Sequence, residues 1–222
     1  MPPPRSSSAI SCRACSFILK PAAMISLAKI DGDCPDSCSA AGFSGSKNFN
    51  ALIQIAPWHP SVSAQARAAE KLIKARGSTQ STDSPLFMLH TTAYYFCCYT
   101  SDEEKAIKAA LRSLSWSPFQ VSYDSFACNL DHNNETTYLH ALPSDQTALF
   151  SLARQIEAAV AATGAHVTPR ETLFHMTLAR VGNDYPTDDV VGEFLADPSL
   201  TDFGEITVDR FRIGVEQFHA DK

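Results

Sequence analysis

Apolar positions recur along this chain in two periods, near 2 and near 3.6, and their succession lays out the elements. Residues 49–55 (FNALIQI) form an apolar run of strand length, followed by a turn at Pro57-Trp58-His59-Pro60. Over residues 61–76 the spacing of Val62, Ala66, Ala69, Leu72 and Ile73 is helical and stops at Gly77. Residues 78–85 are a polar loop, and 86–99 read as a strand. Ser101 with Glu104 forms a capping-box pattern. The helix it opens aligns Ala106, Ile107, Ala110, Leu111 and Leu114, and Pro118 blocks its continuation. Residues 119–128 alternate as a strand, 129–135 are a polar turn and 136–142 a second strand, which predicts an antiparallel pair. Ser144 is placed to cap a long helix through Leu149, Leu152, Ile156 and Val160, ended by Gly164. A strand over 173–181 follows. Thr187 then caps a short helix with Asp188 and Asp189 in its first turn, and 205–215 close the chain as one strand.

The predicted order is β-α-β-α-β-β-α-β-α-β, and it contains a near-repeat. The third and eighth elements carry His90-Thr91-Thr92-Ala93 and His175-Met176-Thr177-Leu178, two copies of His-x-Thr-x 85 residues apart. On a strand, residues i and i+2 share a face. Each copy therefore sets an imidazole beside a hydroxyl. Two such strands brought together offer two proton-transfer groups and two hydrogen-bond donors around one anion, the minimum equipment for cleaving a phosphodiester without a metal. A single His-x-Thr is a common accident, in which the histidine is a core residue and the threonine an ordinary strand residue. The pair, in this element order, favours chemistry.

Composition narrows the partners. Residues 1–30 carry Arg5, Arg13, Lys20 and Lys29 and no acid, so the rest of the chain holds a net charge of −10. A body that acidic is a poor binder of long nucleic acid, and a small phosphorylated ligand in a locally positive cleft fits better. Residues 1–47 read as a tail, or over 1–30 as a targeting segment, with the domain beginning near Asn48. The apolar stretch between Ala14 and Ile30 is broken by Lys20-Pro21, too early to cross a membrane. The seven cysteines (12, 15, 34, 38, 97, 98 and 128) are odd in number, and Cys97 and Cys98 are adjacent on a predicted strand. This pattern predicts reduced thiols and a cytoplasmic protein, or an organellar one if 1–30 is a transit peptide. Cys12-x2-Cys15 and Cys34-x3-Cys38 have rough zinc spacing, but little apolar material surrounds them to fold around a metal. No metal and no cofactor are expected.

With these motifs in hand, the chain resembles the 2H phosphoesterase superfamily over roughly residues 48–216. The second motif, Phe174-His175-Met176-Thr177-Leu178-Ala179-Arg180-Val181, is the nearer match. It is similar to the corresponding run of LigT-like RNA 2′,3′-cyclic phosphodiesterases. The first copy departs from the family habit, with Ala93 where an aliphatic is usual and Tyr94-Tyr95-Phe96 after it. The resemblance implies an α+β fold with two pseudo-duplicated antiparallel lobes, helices on the outer faces and a central cleft. It implies catalysis by His90 and His175, and phosphate binding by Thr92, Thr177 and Arg180. The expected ligand is a nucleotide or short RNA end with a cyclic phosphate, handled by a monomer with no membrane contact. The alternatives are a 2′-5′ oligonucleotide phosphodiesterase, and a nucleotide-binding module of the same fold without turnover.

Strict alternation places Tyr94 and Phe96 on the face of His90, which makes Tyr94 a candidate for stacking on a base, with core packing as the competing role. The same rule turns Arg180 away from Thr177 unless the strand bulges there. Tyr138 is a second stacking candidate, and His140 shares its face. Trp58-His59 fits turn packing, and His132, His166 and His219 fall in loops or the tail.

Overall fold

The computed structural model describes residues 34–35, 37–55, 64, 89–130, 136–170, 172–182, 196–197 and 203–221, without the side chains of 126–130, 136–139 and 179–182. The expected helices over 61–76 and after Thr187 lie almost wholly outside these residues. The described elements are β1 (Lys47–Gln54), β2 (His90–Tyr99), α1 (Ser101–Leu111), β3 (Phe119–Leu130), β4 (Thr136–Pro143), α2 (Thr147–Ala162), β5 (Met176–Gly182), β6 (Glu205–Val208), β7 (Arg210–Ile213) and β8 (Glu216–His219).

All strand pairs are antiparallel, in the order β6-β3-β4-β5-β2-β1-β7-β8. The order divides at its middle into two sets of four, with the two motif strands β5 and β2 meeting at the centre. The pseudo-duplicated α+β architecture is thus the one expected. The closing segment differs from expectation: 205–215 is not one strand. β6 ends at Val208 on β3, and β7 begins at Arg210 and pairs with β1 near the opposite end of the order. One residue, Asp209, joins strands so far apart in the order, so the sheet must curl until its ends approach. Trp116, just before β3, meets Phe119 and Phe211 of β7 at centroid distances of 6.1 Å and seals that approach. Gly214, at φ +61°, and Val215 then make a two-residue hairpin turn into β8. Glycine in the first central position of such a turn matches the twist of the strands.

Both described helices lie behind the sheet. Ile107 and Leu111 of α1 and Leu149, Leu152, Ala153, Ile156 and Val160 of α2 are buried in one core with Ala51, Ile53, Tyr94, Phe96, Val121, Tyr123 and Met176. The caps sit one or two residues from their predicted places. Thr100, not Ser101, accepts from the Glu103 amide, and Glu103 returns a bond to the Thr100 amide. Helix α2 starts after Gln146, and the Asp145 carboxylate, not Ser144, accepts from the Thr147 amide at 2.8 Å. Gly164 at φ +79° ends it as expected.

The cysteines correct the expectation of reduced thiols. Cys34 is bonded to Cys97 and Cys38 to Cys98. Cys97 and Cys98 sit where the β1–β2 register is bulged, with Cys98 at φ +62°, so strand alternation does not hold there and both reach partners on the one segment that precedes β1. Residues read as tail are thereby fixed to the end of β2. Asn48 reinforces the join, donating to the Pro35 carbonyl at 2.8 Å and accepting from the Cys98 amide at 2.9 Å. Cys34 and Cys38 are engaged in these bonds and are not thiolate zinc ligands. No helix among the described residues is long and apolar enough to cross a membrane.

Candidate active site

The site follows from one pairing. β2 and β5 meet with Thr91 opposite Met176. Both of these side chains are fully buried on the core side, and Thr91 Oγ1 lies 2.5 Å from the Tyr123 hydroxyl. Continuing the antiparallel pairing by one residue each way sets His90 opposite Thr177 and Thr92 opposite His175. All four then lie on the face away from the helices. The histidines occupy one diagonal of this four-residue diamond and the threonines the other. Diagonal neighbours on paired strands stand roughly 7–8 Å apart at their α-carbons, enough to receive a phosphate between two imidazoles. His90, His175 and Thr177 are half-buried, and Thr92 is buried.

Each motif strand is bulged at the same place. On β2, Thr92 pairs with Leu52 and Tyr94 with Ala51, so Ala93 is the extra residue. On β5, Thr177 pairs with His140 and Ala179 with Leu139, so Leu178 is the extra residue. Both are the fourth position of His-x-Thr-x. A bulge resets which residues share a face.

This reset overturns the assignment of Tyr94. It falls on the core face with Ala51 rather than on the face of His90. Its ring is fully buried against Phe96 at 4.8 Å, and its hydroxyl donates to the Thr168 carbonyl at 2.6 Å. No surface of Tyr94 is left for a base. By the same register Tyr95 takes its place on the face of Thr92, half-buried, with the Arg170 guanidinium 4.9 Å from its ring centre. On β5 the reset acts in the opposite sense for Arg180. Its register position opposite Tyr138 falls on the face of Thr177, the condition under which strict alternation is relieved. The side chains of Arg180 and Tyr138 lie outside the described residues.

The tautomer of His175 is set locally. Its Nδ1 lies 3.2 Å from the Leu173 carbonyl, which can only accept, so Nδ1 carries a proton and Nε2 is the nitrogen left to take up or give the other. A third histidine completes the cluster. His140 on β4 stands opposite Thr177, its Nδ1 3.2 Å from Thr177 Oγ1 and its ring 4.5 Å from that of His175, edge to face. Only 3% of it is exposed. Burial, and then the charge of His175, hold its pKa well below the usual imidazole range, so His140 is neutral at pH 7. Sequence parity put His140 on the strand face of Tyr138, but its contact with Thr177 depends on the β4–β5 register. Gln54, opposite His90, and Arg212, opposite Leu52, extend the same face across β1 and β7. Neither stood out in the sequence. Among the described residues no group of three or more His, Cys, Asp or Glu is arranged to hold a metal.

Comparison with known proteins gives three results. The family model of the 2′-5′ RNA ligase superfamily matches residues 58–216. A search of curated proteins finds no match. Among solved structures, E. coli LigT complexed with 3′-AMP is similar over 80% of this chain and 98% of its own, at 16% identity and a TM-score of 0.54. LigT complexed with NADP+ covers 80% and 99%, at 16% identity and 0.52. TT0787 of Thermus thermophilus covers 78% and 96%, at 18% identity and 0.51. At these identities the likeness is one of fold.

Proposed function

The chain belongs to the 2′-5′ RNA ligase superfamily, a family of phosphoesterase- and ligase-type enzymes acting on phosphodiester bonds, and on that premise we propose that it opens 2′,3′-cyclic phosphates of nucleosides or short RNA ends without a metal. The observation that carries the proposal is the Thr91–Met176 pairing, which turns two separate motifs into one four-residue site.

The step needs a water oxygen to attack phosphorus as the bond to one ribose oxygen breaks. One imidazole takes the proton that the water loses. The other gives a proton to the departing ribose oxygen, so the pair ends with its protonation exchanged and no net change. Histidines on opposite corners of the diamond flank the phosphorus from two sides, which is what in-line displacement demands. The hydroxyls of Thr92 and Thr177, on the other diagonal, meet the non-bridging oxygens, where charge grows. Arg180 would add a fixed positive charge from the same face. These groups supply acid, base and anion stabilisation, so the chemistry has no need of a Lewis acid. That 3′-AMP is seen with LigT supports a nucleoside phosphate as the ligand class.

The test is steady-state turnover of 2′,3′-cyclic nucleotides by wild type, His90→Ala and His175→Ala. Each variant should lose about 10²–10⁴ in kcat, the contribution of a positioned acid or base. A variant that keeps near-wild-type turnover would show that its histidine is not part of the reaction.

A further inference from the structure

The diamond of motif residues is symmetric, but its surroundings are not. Under the pseudo-twofold relation between β2 and β5, the residue opposite Thr92 on β1 corresponds to the residue opposite Thr177 on β4. The first is Leu52 and the second is His140. Thr92 thus faces a hydrocarbon side chain, which has no atom to orient a hydroxyl. Thr177 faces a buried imidazole with Nδ1 at hydrogen-bond distance. Both threonines carry the same proposed task, and the difference between their neighbours has a chemical consequence.

A threonine hydroxyl has one proton and two lone pairs. The phosphate oxygens of a bound diester only accept. If Thr177 gave its proton to His140, it would have none for the phosphate. If His140 instead donates from Nδ1, the Thr177 oxygen is engaged as acceptor and its own proton must point elsewhere, towards the face where the diamond lies. We propose that His140 is a positioning residue: as the neutral Nδ1–H tautomer it donates to Thr177 Oγ1 and so fixes the Thr177 hydroxyl as the donor to the reacting phosphate. Burial suits this role, because a neutral ring keeps Nδ1–H as a donor without placing a second positive charge 4.5 Å from the His175 ring. It also makes the two threonines unequal, with Thr177 pre-oriented through β4 and Thr92 not.

The proposal rests on the phosphodiesterase reading above, and the test separates the two. Three substitutions of His140 differ in what they leave at Nδ1. Asparagine places an amide N–H near that position, glutamine carries its amide to the Nε2 position, and leucine removes both. His140→Leu and His140→Gln should lower kcat on a 2′,3′-cyclic nucleotide about tenfold with KM changed less than about threefold, as for partial loss of a hydrogen bond to charge. His140→Asn should recover most of that loss. In a Thr177→Val background the His140→Leu effect should disappear, because the group through which it acts is gone. In a Thr92→Val background it should persist. Nitrogen-15 spectra of the histidine rings in the resting protein should show the His140 proton on Nδ1. Equal losses in Asn and Leu, additive losses with Thr177→Val, or a proton on Nε2 alone would each overturn the role of His140 while leaving an active enzyme. A wild type without turnover would instead remove the phosphodiesterase reading, and the proposal with it.

Discussion

Two disulfides that close almost the same loop make a prediction about stability that can be worked in numbers. Cys34–Cys97 spans 63 residues and Cys38–Cys98 spans 60. By chain entropy alone, a first cross-link over such a loop restricts the unfolded chain by about 4 kcal/mol. The second adds far less. Once Cys34 is tied to Cys97, joining Cys38 to Cys98 closes only a small ring of about five residues, worth roughly 2 kcal/mol on the same scale. Either pair therefore substitutes for most of the other. Replacing Cys34 and Cys97 by alanine, or Cys38 and Cys98, should each cost about 2 kcal/mol, and replacing all four about 6 kcal/mol. The assay is urea unfolding without reductant, followed by fluorescence of Trp116 and Trp58, with the number of free thiols checked by mass after alkylation. Turnover should be unchanged in all three variants, since Cys97 lies seven residues along β2 from His90, roughly 20 Å at strand rise. Two single-pair losses that sum to the four-fold loss would refute the nested-loop reasoning. No loss in the four-fold variant would show that residues 34–46 are not tied to the sheet.

Further outcomes follow from the site. Thr92→Val and Thr177→Val keep a β-branched strand residue and remove a donor, so each should lose about 1–3 kcal/mol of transition-state stabilisation, seen in kcat more than KM. Tyr94→Phe removes the bond to Thr168 from the core; it should cost about 1 kcal/mol of stability and leave KM for cyclic nucleotides unmoved, whereas a raised KM would return Tyr94 to the cleft. The depressed pKa of His140 sets a pH dependence of folding: below about pH 6.5 the unfolded chain takes up a proton that the folded protein refuses. Stability from this group should therefore be complete above pH 6.5 and fall by about 1.4 kcal/mol per unit below it, down to the folded pKa. Urea titrations of wild type and His140→Asn between pH 5 and 8 measure it, and parallel profiles would show that His140 is not held neutral.

What the sequence made legible was whatever depends on neighbours in the chain. The period-2 spacing of His90 with Thr92, and of His175 with Thr177, was enough to place imidazole and hydroxyl together on each strand. The antiparallel pair 119–142 and the stop at Gly164 were equally local. What it did not show depends on pairing between distant strands. The face of Tyr94 is decided by the extra residue Ala93, visible only against β1, and the register position of Arg180 by Leu178, visible only against β4. The neighbour of Thr177 is a histidine 37 residues earlier, brought there by the same ladder. The split of 205–215 at Asp209 depends on β6 pairing with β3 and β7 with β1, and Gly214-Val215 marks only the later turn into β8. The cystines left no readable mark, because an odd count and an adjacent pair argue for thiols unless the crossing segment is known.

The central claim is that two imidazoles and two hydroxyls on one sheet face open a cyclic phosphodiester unaided. Phosphorus-31 NMR of adenosine 2′,3′-cyclic phosphate incubated with the purified protein in excess EDTA tests it most directly. The cyclic resonance should be replaced by that of a single 2′- or 3′-monophosphate, and His90→Ala and His175→Ala should leave it in place. A cyclic signal that persists with wild type in EDTA and is converted only when a divalent metal is restored would contradict the account.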